Sequence, residues 1–186
     1  YISVNSVEEL QYIRIENNLL KIGAATTIES INEYCKNHLS NTNSNLFRAF
    51  CDKISVFASS QVRSVASLIG NLMSGSSSTD FTNFLPAVGA VLQVIDVNTK
   101  KTRIVGLEDF FDKNCKPKLS ESDLVLEIQI PITNDYIQTY KISNRREICG
   151  CILSATIRAN ISENDIINDI KIAFSKLSNS ISLCKT

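Results

Sequence analysis

Gln61-Val62-Arg63-Ser64-Val65-Ala66-Ser67-Leu68-Ile69-Gly70-Asn71-Leu72-Met73-Ser74-Gly75-Ser76-Ser77-Ser78-Thr79-Asp80 is the run from which the fold of this chain is read. Val65 to Ile69 is apolar and predicts a buried strand, and Gly70-Asn71 is a turn signal that ends it. Ser74 to Asp80 then holds only small side chains, with no anion before Asp80. Such a loop lets a ligand approach bare main chain and meets it with N–H and hydroxyl donors, the chemistry that holds a phosphate or a sugar. A solvated Ser-rich linker has the same composition and is the competing reading. After Asp80 the pattern turns helical. Thr79 or Asp80 serves as cap, Phe81, Phe84, Leu85 and Val88 form the apolar face, and Pro86 lies inside.

Upstream, Leu19 to Thr26 reads as a strand entering a turn. A helix starts at Thr26-Thr27 and buries Ile28, Ile31, Tyr34, Cys35 and Leu39. His38, the only histidine, falls at its end and reads as a surface cap. A second helix from Asn45 to Ala58 buries Leu46, Phe47, Phe50, Ile54 and Phe57. Downstream, Ala90 to Val97 and Thr102 to Val105 form a hairpin around Asn98 to Lys101. Leu107 to Phe111 predicts a short helix. Leu124 to Ile130 alternates as a half-buried strand stopping at Pro131, Tyr136 to Ser143 is another strand, and Cys151 to Ile161 pairs antiparallel with Ile166 to Phe174. Helices followed by mostly antiparallel strands make an α+β chain. Its boundary falls at Pro131 to Asp135, dividing it into residues 1–131 and 132–186.

The chain has 186 residues, 44% hydrophobic and 20% charged, with Lys+Arg and Asp+Glu at 19 each. A zero formal charge gives no field that would draw in nucleic acid or anionic lipid. No apolar run approaches the ~20 residues that span a bilayer, and Tyr1 to Asn5 carries no secretory signal. These features place the chain in the cytoplasm, with the peroxisome as the alternative. An opening at Tyr1 rather than Met points to a piece of a longer chain. Six cysteines sit mostly in apolar patterns and read as reduced core residues, and no Cys-x-x-Cys spacing or second histidine supports a metal site. Cys149-Gly150-Cys151 is too close for a comfortable metal chelate, and in a strand those two side chains point to the same face. Gly-x-Ser-x-Gly, Walker and His-Glu-x-x-His signatures are missing, so any reaction belongs to a bound cofactor.

Gln61 to Ser67, then Gly70-Asn71, Ser74 and Thr79-Asp80, resembles the FAD-binding segment of the molybdenum hydroxylases, the family of xanthine dehydrogenase and aldehyde oxidase. Gly23-Ala24-Ala25-Thr26-Thr27-Ile28, Phe57-Ala58, Leu124 to Pro131 and Tyr140 to Glu147 resemble further segments of the same flavin domain, in the same order. The resemblance implies a PCMH-type FAD-binding subdomain with a mixed or antiparallel sheet and flanking helices, followed by part of an antiparallel C-terminal subdomain. Phe57 then packs near the flavin ring. Ser67, Gly70 and Asn71 hold the diphosphate and adjoining groups, and Asp80 accepts hydrogen bonds from cofactor hydroxyls. Val125 makes an apolar contact, and Lys141 brings positive charge. Arg145 and Arg146 fall near the flavin edge and the neighbouring domain, with a solvated pair as the other reading.

The family often has glycine where Ile69 stands and an aromatic where Val56 stands. Its N-terminal diphosphate-loop subdomain would precede Tyr1. By resemblance the whole protein is an oxidoreductase. It passes electrons from 2Fe–2S clusters, fed by a molybdenum cofactor in other domains, through FAD to NAD or dioxygen, and it is a homodimer. The alternatives are a truncated or degenerate flavin domain serving only packing or assembly, and a separate flavoprotein subunit of a carbon monoxide dehydrogenase-like enzyme.

Overall fold

β5, Asp123–Pro131, is the strand around which the first sheet forms. Its alternating Leu-Val-Leu-Glu-Ile-Gln-Ile suits a pleated surface. In the computed structural model, which describes residues 3–40, 44–76, 78–145, 148–176 and 182–184, it pairs antiparallel on both sides. β2, Leu19–Gly23, sets Ile22 opposite Ile128, and β3, Val91–Asp96, sets Leu92 opposite the same residue. β1, Ile13–Glu16, and β4, Thr102–Gly106, complete the order β1-β2-β5-β3-β4. The β1–β2 hairpin is not anticipated by the sequence pattern. Its Asn17 and Asn18, at φ 51° and 60°, form a left-handed two-residue turn that asparagine tolerates.

A second antiparallel sheet follows: β6, Tyr136–Ile142, β7, Leu153–Ile161, β8, Ile167–Ser175, and β9, Ser182–Cys184. Ile132, just after β5, and Ile137, in β6, belong to one apolar core with the first sheet. α1, Ile28–Asn37, is capped by Thr27, whose hydroxyl accepts from Ser30 N at 3.2 Å. His38 is its C-cap, stacked on Tyr34 and half-buried. α2, Asn45–Ser55, runs against β6 and buries Phe47, Phe50 and Ile54. Phe50 meets Phe84 edge-on at 4.8 Å, an arrangement that suits aromatic quadrupoles. Cys35, Cys51, Cys149 and Cys151 are free thiols, and Cys35, Cys115 and Cys151 are buried.

Four expectations need correction. Val65 to Ile69 is not a strand. The chain instead makes two short helices, α3, Ser60–Arg63, and α4, Leu68–Met73. Ser59 and Ser67 cap them, accepting from Val62 N and Gly70 N, so serines that suggested a loop are helix starts. Val65, between the helices, is 72% exposed, as a buried strand residue would not be. Gly70-Asn71 therefore lies inside α4, and Gly75 at φ 61° follows its end.

Thr79 and Asp80 do not cap the next helix. α5, Phe84–Ala87, starts after Asn83, and Pro86 sits in its first turn, where a missing N–H breaks no helical bond. Leu107 to Phe111 is irregular rather than helical. Asp112 Oδ1 accepts from Asn114 N and Lys116 N and holds a turn, with Phe111 bridged to Pro117. β7 starts at Leu153, so Cys151, expected as the first residue of that strand, precedes it.

Candidate functional site

α2 stops at Ser55, and the chain turns through Val56, Phe57 and Ala58, with Ala58 held at φ 43°. Arg63 over-determines that turn. Its Nη1 donates to Phe57 O at 3.1 Å and Ala58 O at 3.3 Å, while its Nε donates to Glu29 at 2.6 Å. Phe57 is buried and tilts against Phe81 with ring centroids 5.4 Å apart. Phe81 follows Asp80, which is 7% exposed. Lys141, on the inward face of β6, reaches Asp80 Oδ1 at 2.9 Å as an ion pair without hydrogen-bond alignment, and donates to Val56 O at 2.9 Å. Phe57, Asp80 and Lys141, far apart in sequence, are thus joined in one cluster.

Ser67, Gly70 and Asn71 form a second group on α4. Ser67 Oγ accepts from Gly70 N at 3.0 Å, which leaves its own hydrogen free to donate outward. A Cβ on Gly70 would meet Ser67 Oγ at 2.9 Å, so glycine keeps both the cap and an exposed stretch of main chain. Asn71 Oδ1 is buried with no hydrogen-bond partner. Val125 is buried on β5, the strand against which α4 packs. Arg145 is exposed and donates to Ile148 O at 3.1 Å, while Arg146 and Glu147 lie outside the described residues.

A separate cleft lies elsewhere. About 630 Å³ in volume, it is lined by Tyr12, Thr27, Ser30, Tyr34, Ser64 and Val65, among others, and by none of the expected FAD contacts. Among the described residues no cluster of His, Cys, Asp and Glu could hold a metal ion, and no helix is long and apolar enough to cross a membrane.

One residue of the Asp80 cluster escaped the sequence reading. Lys53 sits on the buried face of α2 with no exposed surface. Burial pushes its ammonium down to about 8, and Asp80 opposes that shift. Burial also pushes the Cys151 thiol up, and Asp80 adds to the effect. A lysine inside the stripe Leu46, Phe47, Phe50, Ile54 was the signal available in the sequence.

The family described as FAD binding domain in molybdopterin dehydrogenase matches residues 1–133. A xanthine dehydrogenase of Oryza sativa subsp. japonica is 28% identical over 181 residues, covering 93% of this chain. One of Dictyostelium discoideum is 30% identical over 175 residues, covering 84%. The matched region is 13% of the length of each of these relatives. Among solved structures, carbon monoxide dehydrogenase from Hydrogenophaga pseudoflava superposes with a TM-score of 0.82 at 20% identity, over 95% of this chain and 58% of that one. Quinoline 2-oxidoreductase from Pseudomonas putida 86 superposes with a TM-score of 0.77 at 16% identity, over the same shares.

Proposed function

The chain belongs to the family of FAD-binding domains of the molybdopterin dehydrogenases, and from that premise we propose that Phe57, Ser67, Gly70, Asn71, Asp80, Val125 and Lys141 form this chain's share of the FAD seat. The observation that carries the assignment is Asn71 Oδ1, a buried acceptor left without a partner. An orphaned acceptor of this kind costs ~1–3 kcal/mol, and a ligand N–H or O–H removes that cost. The other assigned residues fit the group. Ser67 has a hydroxyl hydrogen to give, Gly70 leaves main chain bare, Phe57 and Val125 supply apolar contact, and Lys141 supplies a cation.

Bound FAD supplies hydride and one-electron chemistry. The side chains bind and orient. Asp80 faces hydroxyl donors rather than phosphate, and Lys141 holds its carboxylate in place from β6. We further assign residues 1–131 to the FAD-binding subdomain and 132–186 to the start of the C-terminal subdomain. The whole protein is proposed to be a homodimeric oxidoreductase with molybdenum and iron–sulfur domains, using NAD or dioxygen as acceptor.

Titrating purified protein with FAD tests the site. Wild type turns yellow and quenches flavin fluorescence, and Asn71→Ala weakens binding about tenfold, the loss of one good hydrogen bond. Equal affinity in the two proteins removes the role assigned to Asn71. A folded wild type that never takes up FAD favours a domain kept only for packing and assembly.

A further inference from the structure

Lys53 places a charge where α2 should present only apolar surface. Its Nζ donates to Ser154 Oγ at 2.9 Å and to Asn83 Oδ1 at 3.3 Å. Asn83 Nδ2 donates to the same Ser154 Oγ at 3.2 Å, and that hydroxyl donates to Tyr140 O at 3.1 Å. These partners are neutral. The charged and titratable groups that face the ammonium are Asp80 from the segment ahead of α5, Lys141 from β6 and the Cys151 thiol ahead of β7. Lys141 is already paired with Asp80. One buried carboxylate therefore serves two buried ammonium groups, and the cluster carries an excess positive charge whenever Lys53 is protonated. A buried charge without its own counter-ion is relieved by loss of the proton or by the arrival of an anion.

We propose that Lys53 is a positioning residue acting through the Asp80–Lys141 pair, and that binding of the anionic dinucleotide makes it take up a proton. This deepens the FAD reading and rests on it. With Lys53 neutral the cluster sums to zero, and with Lys53 charged it sums to plus one, the state an anionic ligand stabilises. Linkage makes the effect reciprocal: if binding favours the protonated form, affinity falls as pH rises through the range in which the free protein loses that proton. That range starts near pH 8, to which burial lowers the ammonium. One unit charge at ~10 Å and an effective dielectric of ~20 sets the size at about tenfold in affinity.

Calorimetric titration with FAD at pH 8.5, in two buffers of different ionisation enthalpy, counts the protons taken up. Wild type is expected to take up a fraction of a proton and to bind about tenfold more weakly at pH 9.5 than at pH 7. Lys53→Met and Lys53→Gln are expected to take up none, with a flattened pH profile. Gln keeps an amide for Asn83 and Ser154, so a purely structural role for Lys53 would be rescued by it, whereas the proton would not return. FAD binding to wild type without proton uptake overturns the proposal, as does uptake that survives in Lys53→Gln. Absence of binding by all three proteins at every pH, with folding verified by circular dichroism, overturns the FAD reading itself.

Discussion

An ammonium with no exposed surface must find its hydrogen bonds inside the protein, and Lys53 finds them on Ser154 and Asn83. Those bonds do not repay full desolvation of the charge, so the folded-state value drops from 10.5 to about 8. The sign of the consequence follows. Below pH 8 both folded and unfolded chains hold the proton, and the fold bears the full cost of burying it. Between 8 and 10.5 the folded chain has released the proton while the unfolded chain keeps it, so stability rises with pH. The unfolding free energy of wild type, read from urea denaturation, should therefore rise across that window by up to about 3 kcal/mol relative to Lys53→Met. Parallel midpoints in the two proteins would show that Lys53 does not titrate there. The lysine was visible in the sequence, but its consequence was not. Asn83 and Ser154 lie 30 and 101 residues away from it, and no local pattern links them.

At the scale of single elements, the long strands were legible because alternation extends over whole segments. β5 to β8 fall within a few residues of the bounds their periodicity predicts. The short helices were not legible. α4 has six residues, too few for an apolar stripe to differ from an apolar run, and its deciding feature is a cap rather than a period. Serine can cap a helix or shape a loop, and Gly70 can break a helix or accommodate a capping hydroxyl; only tertiary contact decides between these roles. That gives Ser67 a measurable part. Ser67→Ala removes the acceptor for Gly70 N and should lower stability by about 1 kcal/mol, read from chemical denaturation. An unchanged midpoint would mean that the cap contributes nothing to α4. The hairpin turn at Asn17-Asn18 was missed for a related reason, since β1 is only four residues long and three of them are exposed.

Over the whole molecule, α2 and the segment around α5 pack against the second sheet, and that contact encloses a buried polar cluster. Lys53, Thr82, Asn83, Ser154, Thr156 and Ser175 are all buried there, with Asp80 and Lys141 beside them. The resemblance named Asp80 and Lys141 without their pairing, because the two become partners only when β6 docks against α2. It also left a second cleft unassigned, the one beside Tyr12, Tyr34 and Val65. Those two places give the central claim its sharpest test. Amide hydrogen exchange, measured on the protein with and without saturating FAD, reports which backbone the ligand covers. The account predicts new protection at residues 67–71 and around Phe57, Asp80 and Lys141. Protection confined to residues 11–13, 25–37 and 64–65, with residues 67–80 unchanged, would contradict it.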